Sequence, residues 1–577
     1  MSNRFIMYRL FNTSQQRRQN YLSGRWDFII DPDDIGKKEK YYLEFPQKES
    51  DDLHVPSAWN SYPQYYDYEG IAWYQKKFYL PEKTNIRLYF GAVAHDAEVY
   101  LDGKKLGSHY GGFTPFDFML PQLNSGSHKL VVRVDNTHGQ NTIPKADVDW
   151  YHYGGITRTV FIEEVGSVII DNLKIAYDLN LKQRRAEVNL DLTLYNFKRS
   201  NKSSNNNYGA TENLKIYLNN ELKWEDSFKV PSGKSNVSCE FLLDKIELWS
   251  PEKPKLYDIR VEIDADDFRE RTGFRKINTE GKQILLNGEP VEIKGVNRHE
   301  DHPDWGLGLP PRLIKQDIDI LKELGVNAVR TSHYPNNPVF LDYCDREGIL
   351  VLEEIPYWQF SAEDFSREIV LRRGKQMLEE MIDRDYNHPA LYAWSVHNEC
   401  ENYKEGLYKP TAELVSLVRK KDASRPVTYA SHTDFLQKED LCFDLIDFLC
   451  INGYYGWYSD ELTWEEFIAR LHNENPDKPI IISEFGAGAV KNERTLYNQK
   501  WSEGYQADLL EDTINTFLDS EYITGFYIWQ YCDTRTAVEK VMGRPKQINN
   551  KGIVDAYRRP KDAYYRVKKI LNKNSKK

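Results

Sequence analysis

Two glutamates draw attention because each is the acidic residue that closes an apolar run. Leu391-Tyr392-Ala393-Trp394-Ser395-Val396 breaks into His397-Asn398-Glu399, and Ile480-Ile481-Ile482-Ser483 runs into Glu484-Phe485-Gly486. Short apolar runs of this kind read as buried parallel strands, and carboxylates at the C-terminal ends of barrel strands lie where such barrels build their active sites. A facing pair could do glycoside hydrolysis. With retention, the two groups sit about 5 Å apart, one attacking the anomeric carbon and the other protonating the departing oxygen before activating water. The acid must keep its proton near neutral pH, which partial burial and the charge of its partner can arrange. Either glutamate alone could equally be a strand-end residue in an ion pair; the two together are the stronger signal.

For the two to meet, the chain between and around them must close into one sheet. Past Gly281, apolar strands alternate with amphipathic helices: Val291 to Val296, Ala328 to Arg330, Ile349 to Glu353, Leu391 to Val396, Val427 to Ala430, Phe448 to Asn452, Ile480 to Glu484 and Gly525 to Trp529. Between the first two, Ile314, Ile318, Leu321 and Leu324 recur at helical spacing and Gly325 reads as a cap. Eight such units have the size of a (β/α)8 TIM barrel, expected over 279–577, and strands four and seven lie nearly opposite in it. Upstream the pattern is all strand. Residues 1–166 read as a jelly-roll β-sandwich, with an Asp102-Gly103 hairpin turn, and 167–278 as an immunoglobulin-like β-sandwich. The polar stretch Ser200 to Asn207 reads as a solvated hairpin loop.

A chain of 577 residues exceeds what one core serves, in keeping with three domains. Its net charge of −11, with both signs interspersed, offers no basic face for phosphates, so neither nucleic acid nor an anionic membrane is an expected partner. The 39 tyrosines and 13 tryptophans suit sugar-stacking surfaces, although Tyr-rich sandwiches also pack this way. Six scattered cysteines without a CxxC pair, a polar Met1 to Arg25 segment and no long apolar run predict a reduced, cytoplasmic setting. The expected partner is a carbohydrate, bound by a homo-oligomer.

The strings Trp394-Ser-Val-His-Asn398-Glu399 and Ser483-Glu484-Phe-Gly486 make the chain resemble glycoside hydrolase family 2. Asn297-Arg298-His299-Glu300-Asp301-His302, Arg330-Thr-Ser-His333-Tyr334-Pro335 and Val55-Pro56-Ser57-Ala58-Trp59 support the likeness, as does the domain order, over nearly the whole chain. The resemblance implies that Glu399 is the acid/base, Glu484 the nucleophile, and Asn398 the partner of the sugar's 2-hydroxyl.

Asn549-Asn550-Lys551-Gly552 looks like the Asn-x-Lys signature of the uronate-cleaving members. A uronic acid carries a C6 carboxylate, for which Lys551 supplies a cation and Asn549 a neutral donor; two apart on an extended loop, both side chains would point to one side. By the same resemblance Tyr454 and Tyr458 touch nucleophile and uronate, Asp149 reaches sugar hydroxyls from the first domain, Trp529 floors the pocket, and His299 joins the binding residues. Where many β-glucuronidases carry an arginine this chain has Pro545, with Arg544 and Lys546 beside it. Glu354 is followed directly by Ile355-Pro356-Tyr357-Trp358, without the long loop some members insert, which points to an open entrance and larger aglycones. No cofactor is expected, and no metal, despite the spacing of His299 and His302. The expected activity is release of terminal β-D-glucuronic acid by double displacement. β-Galacturonidase or β-galactosidase activity, and a carbohydrate-binding protein with a disabled site, stay open as alternatives.

Overall fold

The computed structural model describes residues 8–198, 210–433, 436–537 and 543–574. The Ser200 to Asn207 insertion lies outside them.

The first domain is a jelly-roll sandwich of a six-stranded and a four-stranded antiparallel sheet. Its strands alternate inward apolar residues, so that Trp26, Phe28, Tyr74, Leu88, Val99 and Val132 share one core; each fully buried side chain of this kind contributes about 1.5–3 kcal/mol. The Asp-Gly expectation holds: Asp102 (φ 50°) and Gly103 (φ 78°) join Asp96–Leu101 to Lys104–Tyr110, both in the left-handed region that a tight two-residue hairpin requires. The immunoglobulin-like domain packs sheets of three and four strands. Along Arg185–Asn196, Ala186, Val188, Leu190, Leu192 and Leu194 face its core, an unbroken period of two.

The third domain is a closed parallel barrel with strands Ile293–Asn297 (β1), Ala328–Thr331 (β2), Leu350–Glu354 (β3), Leu391–Asn398 (β4), Val427–Ser431 (β5), Leu449–Asn452 (β6), Ile480–Phe485 (β7) and Gly525–Ile528 (β8). Core on one face and helices on the other explain why these strands read as continuous apolar runs. Between β1 and β2, helix Pro311–Leu324 buries Ile314, Ile318, Leu321 and Leu324, starts on a proline and stops at Gly325 (φ 90°). Two boundaries differ from expectation by more than one residue. β1 starts at Ile293, because Val291 instead donates to Ile284 beside a small three-stranded sheet. β4 runs on through His397 and Asn398, because a register shift against β5 between Ser395 and Asn398 absorbs the extra residues.

Buried charge pairs lock the domains together. Arg9 bridges Glu270 of the second domain and Asp342 of the barrel, and Arg17 bridges Glu163 and Asp266 of the two sandwiches. Arg535 of the barrel lies between the rings of Tyr66 and Tyr151, 3.4 and 3.5 Å from their centres, and donates to Asp67. Loss of one partner from the buried Arg9 or Arg17 pairs costs about 3–5 kcal/mol; together with the Arg535 contact they hold the first domain where its 136–159 loop overhangs the barrel mouth. Among the described residues no helix is long and apolar enough to cross a membrane.

Candidate active site

Both glutamates stand at irregularities of the barrel. Glu399 follows the β4 register shift and itself takes a left-handed backbone (φ 51°), with its amide donating to Ala430 O at 2.8 Å. Glu484 lies where β7 slips register against both neighbours. Such bulges re-aim a side chain out of the regular inward and outward alternation. Here they turn both carboxylates to one cavity of about 510 Å3, walled by Asp149, Trp358, Gln359, Glu399, His432, Leu436, Asn452, Tyr454, Tyr458, Glu484, Trp529, Gly543, Arg544 and Lys551.

Under the cavity lies a hydrogen-bond net centred on Arg330, the end of β2. Its guanidinium donates to Glu484 Oε1 at 2.9 Å, Asn398 Oδ1 at 2.7 Å, Asn297 Oδ1 at 2.8 Å and both oxygens of Glu354 at 3.0 Å. Against the cost of burial, Arg330 and the His333 ring, 2.6 Å away, hold Glu354 below the usual carboxylate range. Tyr454 donates its hydroxyl to the other Glu484 oxygen at 2.7 Å. Among the described residues Glu399 receives only neutral donors, Asn452 Nδ2 at 2.8 Å and Gln359 Nε2 at 2.9 Å. Asn452 is fixed in turn by Ser483 Oγ at 2.6 Å.

Two carboxylates that line one cavity and feel each other's charge do not both ionise freely. Burial and the charge of Glu399 push the Glu484 carboxyl up to about 8, against Arg330 and Tyr454. Burial opposes ionisation of Glu399 as well, yet His432 and the amides of Asn452 and Gln359 hold it below its ordinary value. Without a sugar, the direction of both shifts favours a shared proton on Glu484 over Glu399, whereas the sequence reading asks the acid to hold it. The physical reason is the set of donors around Glu399, which the sequence does not display.

Of the other expected residues, the structure brings Asp149, Tyr454, Tyr458, Trp529, Arg544 and Lys551 to the cavity wall. Lys551, 3% exposed, donates Nζ to the Tyr458 hydroxyl at 2.7 Å and lies against the rings of Tyr454 and Tyr458. Among the described residues no carboxylate is within ion-pair distance of it. Burial works against ionisation of Tyr458, but Lys551 and Arg544 draw its hydroxyl below the ordinary tyrosine value. Asp149 is already engaged: Arg544 donates to both its oxygens, at 3.1 and 2.5 Å, and Asn549 Nδ2 to Oδ2 at 3.0 Å.

Three expected residues stand back from the wall. Asn549 is fully buried and faces Asp149, so it and Lys551 do not share a surface as the extended-loop reading required; Asn549 Oδ1 accepts from the Lys551 amide and turns the segment. His299 lies behind the wall among the rings of Trp150, His333, Tyr334 and Trp529. Asn398 is below Glu399, with Oδ1 taken by Arg330 and Asn452 and Nδ2 without a protein partner.

Residues that sequence reading gave no role are Arg330, His333, Glu354, Asn452, Trp358, Gln359 and His432. Arg330, His333, Glu354, Asn452 and His432 were findable by the rule that singled out the glutamates, a polar residue ending or just following an apolar barrel strand. Trp358 and Gln359 sit on a loop, where no periodicity marks them. Among the described residues the group of three compact enough for a cation is Asp342, Asp345 and His388, away from the mouth, and it includes neither His299 nor His302. Arg9 already donates to both Asp342 oxygens there.

Sequence profiles of the family described as glycosyl hydrolases family 2 match in order its sugar binding domain over 19–165, its middle domain over 168–275 and its TIM barrel domain over 277–575. The chain belongs to glycosyl hydrolase family 2. This family 2 glycoside hydrolase is 27% identical to a β-glucuronidase of Paenibacillus borealis, over 94% of this chain and 95% of that one. Among solved structures it resembles a β-galacturonidase from Eisenbergiella tayi bound to galacturonate (TM-score 0.89, 35% identity, 98% of this chain and 99% of that one). It also resembles the β-glucuronidase from Ruminococcus gnavus in complex with D-glucaro 1,5-lactone (TM-score 0.86, 28% identity, 98% and 99% covered).

Proposed function

We propose that this glycoside hydrolase releases a terminal β-linked uronic acid by double displacement, with Glu484 as nucleophile and Glu399 as acid and then base. The observation that carries the substrate class is Lys551. A desolvated ammonium whose hydrogen-bond partner is a phenol hydroxyl costs several kcal/mol, and a sugar carboxylate entering the same wall would offset that cost. Arg544 and Tyr458 stand beside it as further donors. The unpartnered Nδ2 of Asn398 suits a sugar hydroxyl next to the reacting carbon.

Arg330 and Tyr454 orient the Glu484 oxygens for attack, and positive charge building at the anomeric carbon favours their ionisation. The shared proton then belongs on Glu399, which faces the departing oxygen and afterwards takes a proton from water. The short connection from Glu354 to helix Ala362–Ser366 favours bulky aglycones.

Glucuronic acid is the sugar suggested by the Asn-x-Lys signature. The higher identity to the protein solved with galacturonate, 35% against 28%, favours the 4-epimer as a second reading. The test is kcat/KM on aryl β-D-glucuronide, β-D-galacturonide, β-D-galactoside and β-D-glucoside, with NMR of the first-formed anomer. A preference for a neutral sugar would sink the uronide reading; an initial α-anomer would sink double displacement.

A further inference from the structure

We infer that Gln359 is a positioning residue for Glu399: its amide holds the carboxylate and sets the pH at which the acid loses its proton. The inference rests on the assignment of Glu399 as acid/base made above.

Glu399 and Gln359 share an uncommon conformation, with φ of 51° and 53°. A left-handed backbone at a non-glycine residue costs about 1–2 kcal/mol and persists only where the surroundings over-determine it. For Gln359 they do. Its amide donates to Asn398 O at 2.9 Å, and its carbonyl accepts from Lys145 Nζ at 2.6 Å, a residue of the first domain. The two turned residues meet at the Gln359 Nε2 to Glu399 Oε2 bond of 2.9 Å. Because Oε1 is occupied by the buried Asn452 amide, Oε2 is the oxygen left to serve a leaving group. Gln359 is exposed on the cavity wall, so an arriving glycosidic oxygen takes the place of its amide.

Direction follows from donor chemistry. An N–H pointing at a carboxyl oxygen favours the carboxylate over the acid. The charged and titratable groups around Glu399 are Glu484 across the cavity, His432 after β5, and His333 after β2. Arg330 with Glu354 lies beneath, Tyr454 stands beyond Glu484, and Lys145 sits on the Gln359 carbonyl. Among the described residues none of these donates a hydrogen bond to Glu399; against burial, the His432 charge and the two neutral amides together lower its affinity for a proton. Removal of Gln359 destabilises the carboxylate, raises the acid's pKa, and keeps its proton to higher pH.

The experiment is the pH profile of kcat/KM on whichever aryl glycoside the wild type turns over, with a nitrophenol and a dinitrophenol leaving group. Gln359→Leu should move the alkaline limb up by about one pH unit, about a fivefold gain one unit above the wild-type limb and nearing tenfold at higher pH. Gln359→Glu, which adds a like charge, should move it further. Should Gln359→Leu not fold, Gln359→Asn, too short to reach Oε2, and Lys145→Met, which frees the loop, should shift the limb the same way. A uniform loss of kcat in whichever of these variants fold, with the limb unmoved, would reduce Gln359 to a structural role and overturn the inference. Glu399→Ala separates the two layers. If it slows both leaving groups equally, the acid/base assignment itself fails; if it spares the dinitrophenol substrate while the Gln359 limb stays put, only the present inference falls.

Discussion

The two sides of the barrel mouth are built from opposite materials. The side formed by the ends of β6 to β8 and the overhanging first-domain loop presents Lys551, Arg544 and Asp149 with Tyr454 and Tyr458. The side formed by the ends of β3 to β5 presents Trp358, Gln359, His432 and Leu436 around Glu399. Fixed charge thus lies on one side and neutral donors on the other. In a low-dielectric cavity a permanent cation hydrogen-bonded to Glu399 would hold it ionised through the whole cycle, whereas neutral amides favour its carboxylate less strongly. A cation on the far side binds without interfering. Arg330 follows the same logic, since of the two cavity glutamates it touches Glu484, the one that in the proposed mechanism must be an anion when it attacks.

Substitutions can break this contrast in a graded way. The largest effect is expected from Glu484→Gln, with kcat down by at least about 10⁴-fold, as for loss of a nucleophile elsewhere; stopped-flow on an activated aryl glycoside should show no burst. Next comes Lys551→Met. Truncating one partner of a desolvated charge pair costs about 2–5 kcal/mol, so kcat/KM on uronides should fall about 10²-fold or more. The weak rates on neutral aryl glycosides should stay within about threefold. Equal losses on both would remove the charge-based reading of that side.

The smallest expected effect concerns stability. Glu484 binds its proton more tightly when folded, about 8 against an ordinary 4.5. A folded value above the unfolded one means that its contribution is complete below about pH 4.5 and is lost as pH rises to about 8. Relative to Glu484→Gln, the wild type should therefore lose stability across that window, by on the order of a few kcal/mol. Thermal unfolding at pH 5 and pH 8 reads the gap; a constant difference between the two proteins would mean that Glu484 is not the carboxyl that titrates.

The fold was legible because its signals are local and repeated. Eight apolar runs separated by amphipathic helices allow few arrangements, and the Asp102-Gly103 turn and the Gly325 cap are fixed by backbone sterics at single residues. The register shift that carries β4 to Asn398 was not legible, since a bulge depends on the partner strand. For the same reason Asn549 could be placed beside Lys551 in sequence but not behind it, facing Asp149 from 400 residues away.

Composition and pattern by themselves determined that two sandwiches precede a barrel, that Glu399 and Glu484 end its fourth and seventh strands, and that a lysine follows its last strand. These are consequences of periodicity and of the strand-end rule, which act along the chain. Tertiary structure alone decided that among the described residues Lys551 is left without an anion, that Arg544 is paired with Asp149, and that neutral amides surround Glu399 while Arg330 touches Glu484. Proton affinity and charge pairing depend on distance and desolvation in three dimensions, and neither is a property of neighbours in sequence.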